Sequence, residues 1–423
     1  MRTEAFRGLR RVIPCLLFIL PLVTGCWDRL EIEQRATVLG LAIDTESAVA
    51  EEAPRDVGKS PSIDATTSSG MDVPYGGTLF RLTAQIAVPG RIPLGPGEGG
   101  GGGGGSRPQE AVWVLHSAGT TVNDALQQLQ QQVADKLFLG HLRILVVSEA
   151  FARARGMQVL TDFLVRHPEV RRTVWVVVSR GRAADLMQTA PPLERVPTLY
   201  LMSTLDHAKQ MGKLSNDFFG MFASKVVAPG RDPVLPYVEV MQRDNINLTG
   251  LAFFQGDQMV GTTARPFDIS TYMLLTGVRP GGYTMMVQVP GQADTVMWQA
   301  YRRKQRVDVT FANGRPHLSV QLHIDGNVTE KSSDRVNLDD AAVIRRIDEA
   351  VAAKTRANIE AVLERTRELG TDPVGFGEYV RAKHRRYWDR AVKSKDRWRD
   401  LYPDIPVDVR VTVTTHRLGM KGR

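Results

Sequence analysis

With two cysteines in 423 residues, Cys15 and Cys26, the chain can form at most one disulfide, and that bridge would join only its first residues. A disulfide-stapled scaffold is therefore excluded. Long apolar runs are scarce too: the N-terminal stretch Val12–Val23 has 12 residues, where a membrane span needs roughly 20. Neither sign of charge dominates, with 54 Lys+Arg against 46 Asp+Glu, so the mild basicity is not a nucleic-acid signature. There is no His-Glu-x-x-His zinc pair and no Gly-x-Ser-x-Gly elbow. The seven glycines Gly99 to Gly105 lead into Ser106-Arg107-Pro108 rather than the Lys-Ser/Thr pair of a phosphate loop. They read as a flexible linker. What remains, 43% hydrophobic and 24% charged residues, is a globular composition long enough for two or three domains.

The first 25 residues have the order of a targeting segment: a basic start, "MRTEAFRGLRR", the short apolar core, then the small residues Thr24 and Gly25 before Cys26. Val23-Thr24-Gly25-Cys26 resembles a bacterial lipobox, in which the cysteine thiol receives diacylglycerol and the preceding peptide is removed. Residues 1–25 are then a lipoprotein signal peptide, and Cys26 is the lipidation site and first mature residue. Four Arg and one Glu fall in the removed part, which leaves the mature chain at +5. Fatty-acyl (palmitate) chains add about 0.8 kcal/mol per buried CH₂, so several on one N-terminus anchor stably. Trp27 suits the membrane interface at headgroup level and equally suits packing against the first domain.

Beyond the anchor, residues 26–190 read as an α/β domain. "ATVLGLAID" (36–44) is a candidate strand, and "LFRLTAQIAV" (79–88) alternates as a half-buried one. Flexible insertions are expected at about 45–77 and 91–108, where large apolar groups are few. A helix capped by Thr121 then precedes the apolar strands "HLRILVVS" and "RTVWVVVS", which alternate with helical segments. The prolines of "PPLERVP" mark a boundary. Residues 191–263 are expected as a middle α+β domain, and 264–423 as a C-terminal α+β domain with a long helix over about 339–369 and an antiparallel sheet. The fold class is thus mixed α/β and α+β, in three domains.

Two stretches invite chemical readings. "RAKHRRYWDRAVKSKDRWR" (381–399) holds nine Lys/Arg among aromatics. Wound as one helix it places Val380, His384, Tyr387, Ala391, Trp398 and Leu401 on a single face, the pattern of a core-packed helix with a solvated basic side. His317 and His323 share a strand face but lack a third ligand. His141 reads as a structural histidine.

"CWDRLEIEQRATVLGLAID", "GHLRILVVSEAFARARGMQVLTDFLVRHPEVRRTVWVVVSRGRAADLM" and "DPVGFGEYVRAKHRRYWDRAVKSKDRWRDLYPDIPVDVRVTVTTHRLGM" occur in that order across the mature chain. They resemble the Ger(x)C family, the C-subunit lipoproteins of spore nutrient germinant receptors. The resemblance implies a non-catalytic, lipid-anchored subunit on the outer face of the spore inner membrane, working with two integral-membrane subunits of the A and B types. It implies no cofactor, no metal, no catalytic residue and no nucleic acid, and leaves ligand-binding residues unassigned. A solute-binding lipoprotein of a transporter is the alternative. That reading needs two similar α/β lobes about a cleft, where this sequence has one α/β block followed by sheet-rich segments.

Overall fold

A computed structural model describes residues 35–45, 79–88, 111–191, 194–241, 245–276 and 282–416. Cys26, Trp27, the leader and, apart from Thr45, both expected insertions lie outside these residues.

The N-terminal half opens with β1 (Arg35–Thr45), β2 (Phe80–Ala87) and β3 (Val112–Gly119), then α1 (Val122–Gln130) and β4 (Lys136–Phe138). It continues with β5 (Ile144–Ser148), α2 (Glu149–Ala154), α3 (Gln158–Arg166), β6 (Trp175–Ser179), α4 (Ala183–Leu186), α5 (Pro197–Gln210) and α6 (Phe219–Val227). After these come β7 (Val234–Met241), β8 (Asn245–Gln255), β9 (Gln258–Thr262) and α7 (Asp268–Thr276). The rest comprises β10 (Thr284–Gln288), β11 (Thr295–Ala312), β12 (Arg315–Lys331), α8 (Ala341–Glu368), α9 (Phe376–Lys383), α10 (Arg385–Tyr387), α11 (Lys395–Leu401) and β13 (Val407–His416).

Nine strands form one sheet in the order β3-β2-β1-β5-β6-β7-β8-β9, with β4 also paired to β1. Its centre, β1-β5-β6-β7, is parallel. The flanking pairs on both sides are antiparallel. Because side chains alternate along a strand, the central strands supply two cores. Ala42, Ile144, Val146, Trp175 and Val177 enter one. Leu41, Ile43, Leu145, Val147, Val176 and Val178 enter the other, roofed by α1, α2, α3 and α6. Each fully buried branched side chain contributes about 1.5–3 kcal/mol, which is why these strands are apolar on both faces.

Two expectations change here. The stretch 191–263, expected as a separate middle domain, contributes β7, β8 and β9 to the first sheet, since β7 pairs parallel with β6. The long crossover carrying α4, α5 and α6 looks like a boundary in sequence but returns the chain to the next sheet position. On β2, Thr83 and Gln85 are buried rather than solvated. Gln85 is satisfied there: Nε2 donates to Met187 O at 2.6 Å, and Oε1 accepts from Thr198 N at 3.2 Å.

The second sheet runs β10-β11-β12-β13. β11 and β12 form a long antiparallel hairpin, but β13 lies parallel to β12, so the expected antiparallel sheet is mixed. The crossover through α8 to α11 is long enough to bring the chain back in the same direction. Asn313 and Gly314, both at positive φ (53° and 75°), join Ala312 to its partner Arg315, the pattern of a type I′ turn. The inner face, with Val307, Val309, Leu318, Val320, Leu322 and Ile324, packs with Val343, Ile347 and Val351 of α8 in the core that also holds Trp175 and Val177. The two sheets therefore share one hydrophobic core.

The basic stretch is not one helix. His384 leaves helical geometry, Trp388–Val392 widens into a π-turn, and Lys393 at φ 65° stops the chain before Ser394 caps α11. The break turns Trp388 and Val392 inward beside Trp398, while Tyr387 stays half-buried.

Candidate functional site: the junction and the strand-end crevice

The residues that carry the third sequence block converge on one place, where the loop entering β7 meets the turn before α9. Asp372 is fully buried. Its Oδ1 accepts from Gly375 N at 2.8 Å, and Oδ2 accepts from Gly377 N at 2.8 Å and Trp398 Nε1 at 3.0 Å. Burial pushes this carboxyl up to about 6, against the pull of those donors. Beside it, Asp232 N donates to Asp372 O at 2.9 Å and Asp372 N returns a bond to Asp232 Oδ2 at 3.2 Å.

Asp232 is buried with two cations. Arg399 Nη2 approaches Oδ1 at 2.6 Å and Lys395 Nζ at 3.3 Å. Burial raises its carboxyl, but Arg399 and Lys395 outweigh that and hold it below the ordinary range. Gly230 N donates to Glu378 at 2.8 Å, Arg231 Nε to Pro373 O at 3.1 Å, and the Tyr272 hydroxyl to the same carbonyl at 3.0 Å. Residues 230–232 and 372–378 are thus zipped together over the buried Trp398. The Phe-Gly and Trp positions of the block, Phe376, Gly377, Trp388 and Trp398, hold the two sheets as one body.

A second concave place lies at the carboxyl ends of β1, β5, β6 and β7. An open parallel sheet offers a crevice there. Asp44, Ser148, Ser179, Arg180, Arg182, Asp185 and Glu239 line a cavity of about 510 Å³. Asp44, the aspartate that ends the first motif strand, is buried and accepts from Ala183 N at 2.7 Å and Ala184 N at 3.0 Å. Burial pushes its carboxyl up, and the two N–H groups, Arg182 and Ser148 pull it back. Across the mouth, Arg180 pairs with Glu239 at 3.1 Å. Two guanidinium groups, Arg180 and Arg182, face three carboxylates, Asp44, Asp185 and Glu239, and the Ser148 hydroxyl is hydrogen-bonded to Asp44.

Two of the histidines share a carboxylate, with His416 Nε2 at 3.1 Å and His323 Nε2 at 3.5 Å from Asp325 Oδ1. His317 Nε2 lies 2.8 Å from Asp408, His323 Nδ1 lies 2.9 Å from Thr412, and the His141 ring packs edge-on against Phe138. Among the described residues no group of three or more His, Cys, Asp and Glu is placed to hold a metal ion. Among the same residues no helix is long and apolar enough to cross a membrane. Sequence reasoning missed the junction carboxylates Asp232 and Asp372; "RDP" and "TDPVGFG" carry an Asp-Pro turn signal, but nothing in either says that they meet.

The profile described as "Spore germination protein N-terminal domain" matches residues 28–240, and "Spore germination B3/ GerAC like, C-terminal" matches residues 249–419. Putative spore germination protein YfkR of Bacillus subtilis (strain 168) is 25% identical over 429 residues, covering 97% of this chain and 96% of the relative. Spore germination protein KC of the same organism is 23% identical over 435 residues, covering 96% of each. The crystal structure of the GerBC protein superposes with a TM-score of 0.52 at 14% identity, over 81% of this chain and 95% of that one, and supports the same mixed fold.

Proposed function

We propose, from the premise that this chain belongs to the GerAC family of spore germination proteins, that it is a non-catalytic, lipid-anchored subunit of a nutrient germinant receptor. It is tethered through a diacylglyceryl Cys26 to the outer face of the spore inner membrane, and it assembles there with two integral-membrane subunits. The observation that carries this is the use made of the motif residues. Asp44, Asp372, Gly377, Trp388 and Trp398 are all buried and committed to caps, turns and packing, so the features shared with the family build a rigid body rather than a reaction centre. The lipobox-like run before Cys26 supplies the anchor.

The strand-end cavity is what a solute-binding reading would use. Its Arg180–Glu239 pair spans the rim, and among the described residues there is one parallel-centred sheet rather than two similar lobes about a cleft, so the receptor reading is preferred. Metabolic labelling with a fatty-acid analogue tests the anchor. Label is expected on the wild type and absent from Cys26→Ala; undiminished labelling of the variant overturns it.

A further inference from the structure

Cations are not distributed evenly over the molecule. Some helix cations are matched within a turn: Arg153 with Glu149 at 2.7 Å, Arg385 with Asp389 at 2.9 Å and Arg365 with Glu368 at 3.1 Å. At the amino ends of β1, β4, β5 and β6 they are not. Arg35 and Lys136 are register partners on β1 and β4. Arg143 donates its N–H to Leu39 O at 2.8 Å and accepts from Trp175 N at 3.0 Å, so it stands between β1 and β6. Arg171 and Arg172 precede β6, with Arg172 O bonded to Gly220 N at 2.9 Å. Trp175 Nε1 donates to Asp206 at 3.1 Å, which draws the end of α5, and Lys213 just beyond it, to the same end.

None of these six cations has an ion pair among the described residues. Arg143, Arg171 and Arg172 are exposed. The acidic groups nearby are mostly engaged inward: Glu169 accepts from Leu139 N, Asp206 from Trp175, and Asp217 holds Lys225 at 2.9 Å. Asp135 alone of these faces solvent. Met211 and Met221, each nearly half exposed, add apolar bodies to this end.

β1 is also where the chain enters the fold from Cys26. Eight residues separate Cys26 from Arg35, and at ~3.3–3.6 Å per residue the linker reaches roughly 30 Å at full extension. We propose that the amino-end face of the parallel strands, with Arg35, Lys136, Arg143, Arg171, Arg172 and Lys213, is a membrane-docking surface for anionic phospholipid headgroups. This rests on the anchor at Cys26. A Lys or Arg near an anionic surface gains about 1 kcal/mol, and the attraction fades within a Debye length of about 10 Å. A tether alone would leave the body free to tumble. A basic face at the tethered end orients it, with the strand-end crevice pointing away from the bilayer.

The test uses the lipidated full mature chain, which has no cysteine besides the acylated Cys26, carrying a fluorophore on Thr173→Cys or on Gly181→Cys. These positions flank β6 (Trp175–Ser179) at opposite ends. The protein is reconstituted into vesicles of phosphatidylcholine with or without phosphatidylglycerol, with a nitroxide quencher on a headgroup. Quenching at position 173 should exceed that at 181 in the anionic vesicles, and high salt should abolish the difference. Neutralisation by Arg171→Gln and Arg172→Gln should lower the docking equilibrium constant by about fivefold per residue. Equal quenching at the two positions, or a difference indifferent to lipid charge, overturns the docking face and leaves the anchor standing. A chain that fails to float even with neutral vesicles overturns the anchor and the docking face together.

Discussion

A single methyl group placed at Gly377 tests how closely the junction is packed. A Cβ there would lie 2.6 Å from Gly230 Cα and 2.7 Å from Trp398 Cε2. Backbone cannot yield as a side-chain tip can, so Gly377→Ala should cost about 1–3 kcal/mol or more, read as a lower denaturation midpoint. Unchanged stability would show the two loops to be farther apart. Asp372 contributes one part of the pH dependence of stability. Its carboxyl titrates near 6 when folded and near 3.9 when unfolded. Between these values the folded state keeps a proton that the unfolded state has released, so stability falls as pH rises from about 4 to 6, by on the order of 2 kcal/mol. Asp232, held low by Arg399 and Lys395, acts in the opposite sense: its contribution is present above the unfolded value and is lost as pH falls. Asp372→Asn should remove the first effect and turn an amide N–H₂ toward donors. Urea unfolding across this range should give a less negative slope against pH on a lower baseline. A slope equal to the wild type would assign the titration to another group.

Among the elements, those with strong local signals were legible. The Thr121 cap of α1 forms as expected, accepting from Asp124 N at 3.2 Å, and the long helix runs Ala341–Glu368 with Ile347, Val351 and Ile359 buried. The Asn313-Gly314 turn that closes the β11–β12 hairpin was not read from the sequence, although Asn-Gly is the pairing a type I′ turn favours. Gly314 has φ 75° and a Cβ placed there would meet nothing within 4 Å, so Gly314→Val should cost about 1 kcal/mol or more through backbone strain alone. A neutral substitution would mean that the turn is not what sets the register. By contrast, the break at His384 and Lys393 was not legible, because the residues that stop the helix are ordinary helix formers and tertiary packing of Trp388 and Trp398 decides it. Removing Gly99–Gly105 tests the linker reading. Loop closure changes by only about 0.6 kcal/mol per doubling of length, so cooperative unfolding should survive. Its loss would reveal an element where a linker was read.

At the scale of the molecule, fold class was readable from apolar strands alternating with helices, but sheet membership was not. Nothing in residues 191–263 announces that β7 pairs with β6, since parallel pairing across a long crossover leaves no local pattern. The candidate sites divide in the same way. The proposal for Cys26 rests on a contiguous run of sequence and lies outside the described residues, whereas the Asp232–Arg399 and Asp372–Trp398 contacts join residues 167 and 26 positions apart. The central claim concerns a rigid body that works by being tethered beside membrane partners, and the most direct test is in the spore. In a spore former whose sole receptor of this type includes this chain, loss of refractility is followed after nutrient addition and after a trigger that bypasses receptors. Deletion should abolish the nutrient response and spare the bypass response. The full chain should restore it and Cys26→Ala should restore it poorly, because tethering sets the effective concentration near partners. A normal nutrient response in the deletion strain would contradict the account.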